Sequence, residues 1–184
     1  MKIIIGAGNT VQNGWISTQE TELVLLCRAD FERMFADQKA QAFLSEHVWE
    51  HMTLQEGIIA AKNCYDFLKP GGYLRVAVPD KNFHNEYYQN MAKIGGIGDP
   101  NHPSYTHKTV YDYKLLRAVF EQAGFAVELL EYCDENGDFH YKYWNEADGK
   151  IGRSLRFDTR NADGKLGMMS LILDAKKEAV IRSE

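Results

Sequence analysis

Two histidines and a glutamate near the first third of the chain are spaced for chemistry. Residues 47–51 read His-Val-Trp-Glu-His and match the H-x-x-E-H pattern of one class of zinc peptidases. On a helix, His47 and His51 would lie on one face and could ligate zinc while Glu50 activates water. The strand-like residues 43–45 lead directly into His47, however, which places this histidine at a strand end. We therefore expect no metal here, and a zinc hydrolase is kept only as an alternative.

A second group of titratable side chains lies between residues 80 and 113. Asp80 follows a predicted strand, and His107 directly precedes a predicted helix. Either side chain could take a proton from a substrate, because imidazole and carboxylate groups are the usual general bases. His107 is the first choice as catalytic residue and Asp80 the second, and local capping or packing is the alternative role of His107. The other candidates are His84, His102, Tyr111 and Asp112.

A glycine-containing turn follows the first apolar run. Residues 3–5 are isoleucines and predict a buried strand of a parallel sheet, which continues into Gly6, Ala7 and Gly8. Glycines at this position let the backbone approach a ligand at the carboxyl edge of the sheet. The turn therefore indicates a nucleotide-type ligand, although a buried strand can also end in glycines for steric reasons.

The elements that position these residues can be predicted from local patterns. The clearest is a βαβ unit over residues 43–78, with a helix at 53–68 that Thr53 and Glu56 cap, a Lys-Pro-Gly-Gly turn at 69–72 and a strand at 73–78. An irregular loop or lid is expected at 81–108 and a polar, aromatic insertion at 134–167. The remaining predictions are strands at 14–18, 23–26, 125–132 and 168–175, and helices at 30–38 and 109–123.

Together these elements predict one α/β domain over residues 1–184. We expect a Rossmann-like, mostly parallel sheet with helices on both faces and an antiparallel pair formed by the last two strands. Only residues 9–13 separate Gly8 from Gly14, and a parallel crossover normally needs a dozen or more residues. The first crossover helix is therefore expected to be shortened or absent, unless the second segment is not a neighbouring parallel strand.

Composition excludes several classes of protein. The net charge is −5, so no phosphate-tracking basic surface and no nucleic-acid partner are expected. The three cysteines are widely spaced and form no CxxC pair, which argues against disulfides or a thiolate zinc site. No apolar run approaches the ~20 residues of a membrane helix. We expect a cytoplasmic protein without a membrane partner.

The order of motifs resembles that of class I S-adenosylmethionine-dependent methyltransferases. The resemblance rests on the Gly-Ala-Gly turn at 6–8, the strand and helix of 42–68, the Lys-Pro-Gly-Gly turn, and the strand that ends at Pro79-Asp80, and it covers about residues 2–175. It implies an enzyme with S-adenosylmethionine as cofactor and an unidentified acceptor. A subgroup of predicted methyltransferases of unknown substrate also has the Gly-Trp-Ile run that stands here at 14–16.

The resemblance also implies which residues lie near the cofactor. In this family the end of the fourth strand approaches the methionine portion, and an acid after the second strand binds the ribose hydroxyls. Gln19 stands near the acid's position with Glu20 beside it, so either could take that role. The predicted cofactor set is therefore Gly6, Ala7, Gly8, Asn9, Gln19, Glu20, Ser45, Glu46 and His47.

The aromatic part of the insertion could have any of three roles. We expect a small-molecule substrate, and the aromatic residues 139–144 could cover it, form a homodimer contact or simply pack locally. A protein of the same fold that binds or assembles without catalysis is the main alternative to an enzyme.

Overall fold

A seven-stranded mixed sheet forms the centre of the computed structural model, which describes residues 1–179. The predicted domain extends to residue 184, so residues 180–184 lie outside the described range. The strand order is β2-β1-β3-β4-β7-β5-β6. The strands are β1 Lys2–Ile5, β2 Ile16–Ser17, β3 Ala40–Glu46, β4 Leu68–Val78, β5 Ala126–Cys133, β6 Phe139–Tyr141 and β7 Leu171–Lys176.

Four α-helices connect these strands, and short 3-10 turns complete the described part of the chain. The helices are α1 Arg28–Phe35, α2 Leu54–Phe67, α3 Glu86–Ala92 and α4 Tyr113–Gln122. The 3-10 turns are Trp49–His51, Pro103–Thr106, Glu146–Asp148 and Thr159–Asn161. Within the described residues, no helix combines the length and apolar character that crossing a membrane requires.

The sheet directions confirm the predicted class. β1 pairs in parallel with β2 and β3, and β3 pairs in parallel with β4. β7 lies antiparallel between β4 and β5, and β6 is antiparallel to β5. The predicted βαβ unit is present, because α2 joins the parallel neighbours β3 and β4. The second strand is a parallel neighbour of β1 and follows it without a helix, so the first crossover helix is absent.

Three of the four α-helices pack against the same face of the sheet, and α3 packs with Cys133 and Met169 in a cluster of its own. Ile3 and Ile5 of β1 belong to the core that also contains Phe31 of α1, Cys64 of α2 and Phe120 of α4. These three helices therefore pack on one face of the sheet. With so short a connection between β1 and β2, the chain has no helix there to cover the other face.

The insertion at 134–167 covers this second face. Ile4 of β1 packs in a separate cluster with Trp15, Trp144 and Ile151. Side chains of β1 alternate between the two clusters, as the two-residue period of a strand requires. The insertion thus replaces a helical layer and lies close to the ends of β1 and β3.

Local chemistry explains how α2 begins. Thr53 accepts a hydrogen bond from the Glu56 amide, and the Glu56 carboxylate accepts one from the Thr53 amide, so the predicted capping box forms. At the other end, β4 starts at Leu68, and residues 69–72 are left out of its pairing with β3, as a turn would be.

Two predicted elements near residues 23–38 need correction. Residues 23–26 form no strand: Leu23 and Leu25 are buried in the helix-side core, and the Leu25 carbonyl accepts a hydrogen bond from the Asn63 side chain instead of from a strand. The helix expected at 30–38 spans Arg28–Phe35. Asp30 does not cap it, since its carboxylate accepts from the Val24 amide.

Candidate functional site

A cavity of about 870 Å³ lies at the carboxyl ends of β1 and β3 and beside the start of the segment after β4. Its volume falls in the range of small-molecule sites. Carboxyl ends of parallel strands are where α/β sheets usually bind ligands. The cavity is lined by the glycine turn, the segment after it, the end of β3, the 3-10 turn after β3, the loop around residue 104 and the insertion. The lining includes Gly6, Ala7, Gly8, Asn9, Gln12, Glu46, His47, Glu50, His51, His102, His107, Lys150, Gly152, Arg153 and Arg160.

The glycine turn forms one wall. Gly6 and Gly8 have φ angles of +57° and +53°, a conformation that favours glycine. A Cβ at Gly6 would stand 2.9 Å from Val48 Cγ2, so close packing excludes a side chain there. A Cβ at Gly8 would meet no atom within 4 Å. Gly8 therefore faces open space, and this side of the turn is free for a ligand.

The structure brings Gly6, Ala7, Gly8 and Asn9 to the cavity but not Gln19 or Glu20. The Gln19 side chain donates a hydrogen bond to the Gly8 carbonyl at 2.8 Å, so it supports the glycine turn from outside. Glu20 is exposed and lies outside the lining. Neither of the residues predicted to bind ribose thus reaches the cavity wall.

The end of β3 contributes Glu46 and His47, whereas Ser45 is fully buried beneath it. Ser45 shares a sheet face with Phe43, which packs in the helix-side core, and it does not line the cavity. The Glu46 carboxylate accepts hydrogen bonds from the amides of Gly152 and Arg153, at 2.9 and 2.8 Å. The insertion is therefore fixed directly to the end of β3.

His47 leaves the strand in a left-handed conformation, with φ +57°. It lies directly after β3 and before the 3-10 turn Trp49–His51, and not on an α-helix. The arrangement that the zinc-peptidase pattern requires, with both histidines on one helical face, is absent. Its ring instead bridges Ser170, whose Oγ is 2.9 Å from Nε2, and Glu50, whose Oε1 is 3.0 Å from Nδ1.

Asp80 is buried away from the cavity. Its carboxylate accepts hydrogen bonds from the backbone amides of Asn82 and Cys133, at 2.7 and 2.8 Å. Burial raises the pKa of Asp80 to about 6, although these two amides act in the opposite direction. The arrangement makes Asp80 a link between β4 and β5, and it has no path to a substrate in this cavity.

His107 does line the cavity. Its Nδ1 lies 3.3 Å from the Ala92 carbonyl oxygen, and burial lowers its pKa despite the opposing effect of Glu50. The imidazole is therefore neutral at neutral pH. Because a carbonyl can only accept, the proton stays on Nδ1 and the Nε2 lone pair is free.

Glu50 is a buried acid in the cavity lining whose position the sequence pattern alone does not reveal. It is 1% exposed; its Oε1 lies 3.0 Å from His47 Nδ1, and its Oε2 has no hydrogen-bond partner within residues 1–179. Burial raises the pKa of Glu50, but the neighbouring His47 and His51 outweigh it, so the pKa lies below its ordinary value. A buried carboxylate thus stays ionised beside three imidazoles. The H-x-x-E-H spacing does point to Glu50, but as part of a helical zinc site, whereas residues 47–51 follow a strand end and contain a 3-10 turn.

Basic side chains of the insertion also reach the cavity. Lys150, Arg153 and Arg160 lie in its lining, and the Arg160 guanidinium pairs with Asp158. No local pattern in the sequence links these residues to the site.

A second, shallower hollow of about 630 Å³ lies across β5 and β6, at the far edge of the sheet. Its side chains, such as Glu128 and Lys142, pair with one another at the surface. It has neither a glycine turn nor a buried ionised group, so the first cavity is the candidate site.

Comparison with solved structures shows which known fold this strand order belongs to. Residues of this chain superpose on a S-adenosylmethionine-dependent methyltransferase from Archaeoglobus fulgidus with a TM-score of 0.51 and 15% identity, over 96% of this chain and 85% of that one. An O-methyltransferase family protein from Burkholderia thailandensis gives a TM-score of 0.51 at 12% identity, over 90% of this chain. The match spans 36% of the Burkholderia chain.

A third similar structure comes from Haloferax volcanii. It is a complex between the Trm112 methyltransferase activator and a candidate methyltransferase, matched with a TM-score of 0.51 and 12% identity over 99% of this chain and 83% of that one. No protein-family model and no curated protein matches the sequence. The chain therefore has the fold of S-adenosylmethionine-dependent methyltransferases, as its sequence resemblance implies.

Proposed function

We propose that this protein transfers a methyl group from S-adenosylmethionine to a small-molecule acceptor in the cavity beside the glycine turn. The observation that supports this most strongly is the open space in front of Gly8, at the carboxyl end of the first strand of a methyltransferase fold. A side chain there would fill the space that a nucleoside needs. The cavity volume suits the cofactor together with a small acceptor.

The residues of the cavity fit such a cofactor. Gly6, Ala7, Gly8 and Asn9 would flank it on one side, and Glu46 and His47 would hold its methionine portion. Glu46 keeps lone pairs beyond the two amide bonds that it accepts, so its carboxylate can attract an ammonium group. When bound, the sulfonium supplies a methyl group that is already reactive, and the protein's task is chiefly to position the acceptor.

The buried surroundings favour that task. Glu50, His51 and His107 line the same cavity as the glycine turn. The insertion covers one side through its bonds to Glu46, which limits solvent access to the reacting atoms.

Calorimetric titration with S-adenosylmethionine and S-adenosylhomocysteine tests this proposal. We expect one molecule bound per chain. The variant Gly8→Leu should bind at least about 10-fold more weakly, because the leucine side chain enters the cavity. Gly14→Leu is a matched control: Gly14 also has a positive φ, and a Cβ there also meets no atom within 4 Å, but Gly14 lies outside the cavity lining.

The two variants therefore carry a similar backbone strain and differ in their distance from the site. Absence of binding by the unaltered protein at millimolar ligand would favour the non-catalytic alternative. Equal loss of affinity in both variants would mean that strain, and not the occupied space, weakens binding.

A further inference from the structure

We infer that Glu50, His51 and His107 form a binding site for one divalent transition-metal ion, of the zinc or ferrous type, at the inner wall of the cavity. One ligand atom from each residue lies within 4.8 Å of the other two. All three residues line the cavity, so a bound ion would face a substrate. This set differs from the sequence-level zinc pattern, because His107 replaces His47.

The hydrogen bonds fix the tautomer of His51. Its Nδ1 is 2.8 Å from Thr106 Oγ1, and that hydroxyl donates its own proton to the Pro103 carbonyl at 3.1 Å. Thr106 must therefore accept from His51, which puts the proton on Nδ1. The Nε2 lone pair of His51 is left free.

The same logic holds for His107, whose Nδ1 faces the Ala92 carbonyl and whose Nε2 is free. The rings of His51 and His107 are 4.9 Å apart. Metal-binding histidines usually donate their second ring N–H to an oxygen in this way, which fixes the ring and raises the basicity of the ligating nitrogen. Both imidazoles are thus prepared as ligands without an ion to organise them.

The third ligand is the carboxylate of Glu50. It is almost completely buried, and its Oε2 has no hydrogen-bond partner within the described chain. A buried carboxylate oxygen without a partner is costly, and a cation bound to it would remove that cost. His47 Nδ1, at 3.0 Å from Oε1, would orient the carboxylate and leave Oε2 available.

Backbone bonds hold the three residues together. The amides of Lys108 and Thr109 both donate to the Glu50 carbonyl, at 2.8 and 3.2 Å, and the Thr109 hydroxyl donates to the Met52 carbonyl at 2.7 Å. The segment that carries His107 is therefore tied to the turn that carries Glu50 and His51. Ligands of one zinc ion lie about 3.4 Å apart, so modest side-chain rotation would complete the site.

The donor set decides the kind of ion. Two imidazoles and one carboxylate suit Zn²⁺ or Fe²⁺, whereas Mg²⁺ and Ca²⁺ prefer oxygen ligands. Three protein ligands leave at least one position open toward the cavity. In this arrangement His107 acts as a ligand and not as a free base, and the ion can bind and acidify an acceptor hydroxyl.

Zinc titration of the chelator-treated full chain tests the site, and it needs no methyl-transfer assay. We expect one Zn²⁺ per chain by calorimetry and by elemental analysis, and affinity reduced by at least about 100-fold in Glu50→Gln and His107→Gln. His102→Asn is the control, since His102 lines the same cavity and asparagine can keep its capping bond to the Ser104 amide.

Circular dichroism checks that each variant folds. His51→Gln provides an independent variant, because His51 is partly exposed and its replacement disturbs packing least. Lack of zinc uptake by the unaltered chain would overturn the proposal, as would uptake that persists in folded His51→Gln and His107→Gln. Loss in His47→Gln with retention in His107→Gln would assign zinc to the 47–51 pattern and would also overturn it. Zinc uptake is measured without S-adenosylmethionine. A chain that binds no zinc would therefore overturn the metal site and leave the proposed methyl transfer to its own test.

Discussion

Gln12 and Lys150 join the segment that follows the glycine turn to the insertion through a pair of reciprocal hydrogen bonds. Gln12 Nε2 donates to the Lys150 carbonyl at 2.6 Å, and the Lys150 amide donates to Gln12 Oε1 at 2.8 Å. One side chain thereby satisfies both backbone groups of a residue far away in the chain. Both residues line the cavity, so this pair connects two of its walls.

Removing that side chain should loosen the insertion locally. In Gln12→Ala we expect faster amide hydrogen exchange at Lys150 and its neighbours, with exchange in α2 unchanged, because the helix-side core is untouched. Hydrogen exchange followed by mass spectrometry measures both regions. Gln41→Ala is the control, since Gln41 is exposed and its side chain forms no hydrogen bond within residues 1–179. Unaltered exchange near Lys150 in Gln12→Ala would contradict this account.

The buried pair of Arg75 and Asp174 should be important for stability. These residues face each other across β4 and β7 and form two hydrogen bonds, of 2.8 and 2.9 Å, while Arg75 also donates to the Gly149 carbonyl. Asp174→Ala leaves a buried guanidinium without its counter-ion, which should reduce the free energy of unfolding by about 3–5 kcal/mol.

Urea denaturation measures that loss. Asp66→Ala, which removes an exposed ion pair with Arg28, should have little effect and serves as the control. Replacing both buried partners by apolar residues, as in R75M/D174L, should restore much of the stability, because no uncompensated charge remains. If Asp174→Ala were as stable as the unaltered chain, the buried pair would not be important for stability.

Asp80 should make stability depend on pH. Its pKa is raised by burial to about 6 in the folded chain, from 3.8 in the unfolded one. Between these values the folded state holds a proton that the unfolded state has released, so stability falls as the pH rises through this window. The unfolding free energy of the unaltered protein minus that of Asp80→Asn should therefore be larger at pH 5 than at pH 7.5.

Denaturant titration at the two pH values provides the measurement, and comparison with Asp80→Asn cancels the contribution of other titrating groups. A difference that stays constant or grows toward pH 7.5 would mean that Asp80 is ionised at low pH in the folded state.

Local signals explain which parts of the fold could be predicted. The capping box of Thr53 and Glu56, the apolar spacing of α2 and the turn at 69–72 are all encoded within a few residues, and the βαβ unit was correct. Residues 23–26 have a strand-like composition, but Leu23 and Leu25 are buried in the helix-side core and not in the sheet. The short connection after β1 leaves no helix between β1 and β2. The insertion that covers the Ile4 side of the sheet has no strong periodicity, so its packing could not be predicted.

The candidate site was predictable only in pieces. The sequence indicated Glu50 and His51 through one pattern and His107 through another, but these residues meet because the Lys108 and Thr109 amides bind the Glu50 carbonyl. Such a contact between distant segments leaves no local mark. Gln19 was predicted to bind the ribose of the cofactor, but its side-chain amide donates to the Gly8 carbonyl from outside the cavity. The roles of the predicted cofactor residues stay predictions.

A structure of the protein with S-adenosylhomocysteine would test the central claim most directly. We expect one molecule in the cavity, with its nucleoside against Gly8 and its amino-acid portion toward Glu46 and His47. Ligand bound elsewhere, or a cavity that stays free of ligand at saturating concentration, would contradict the proposed methyl transfer.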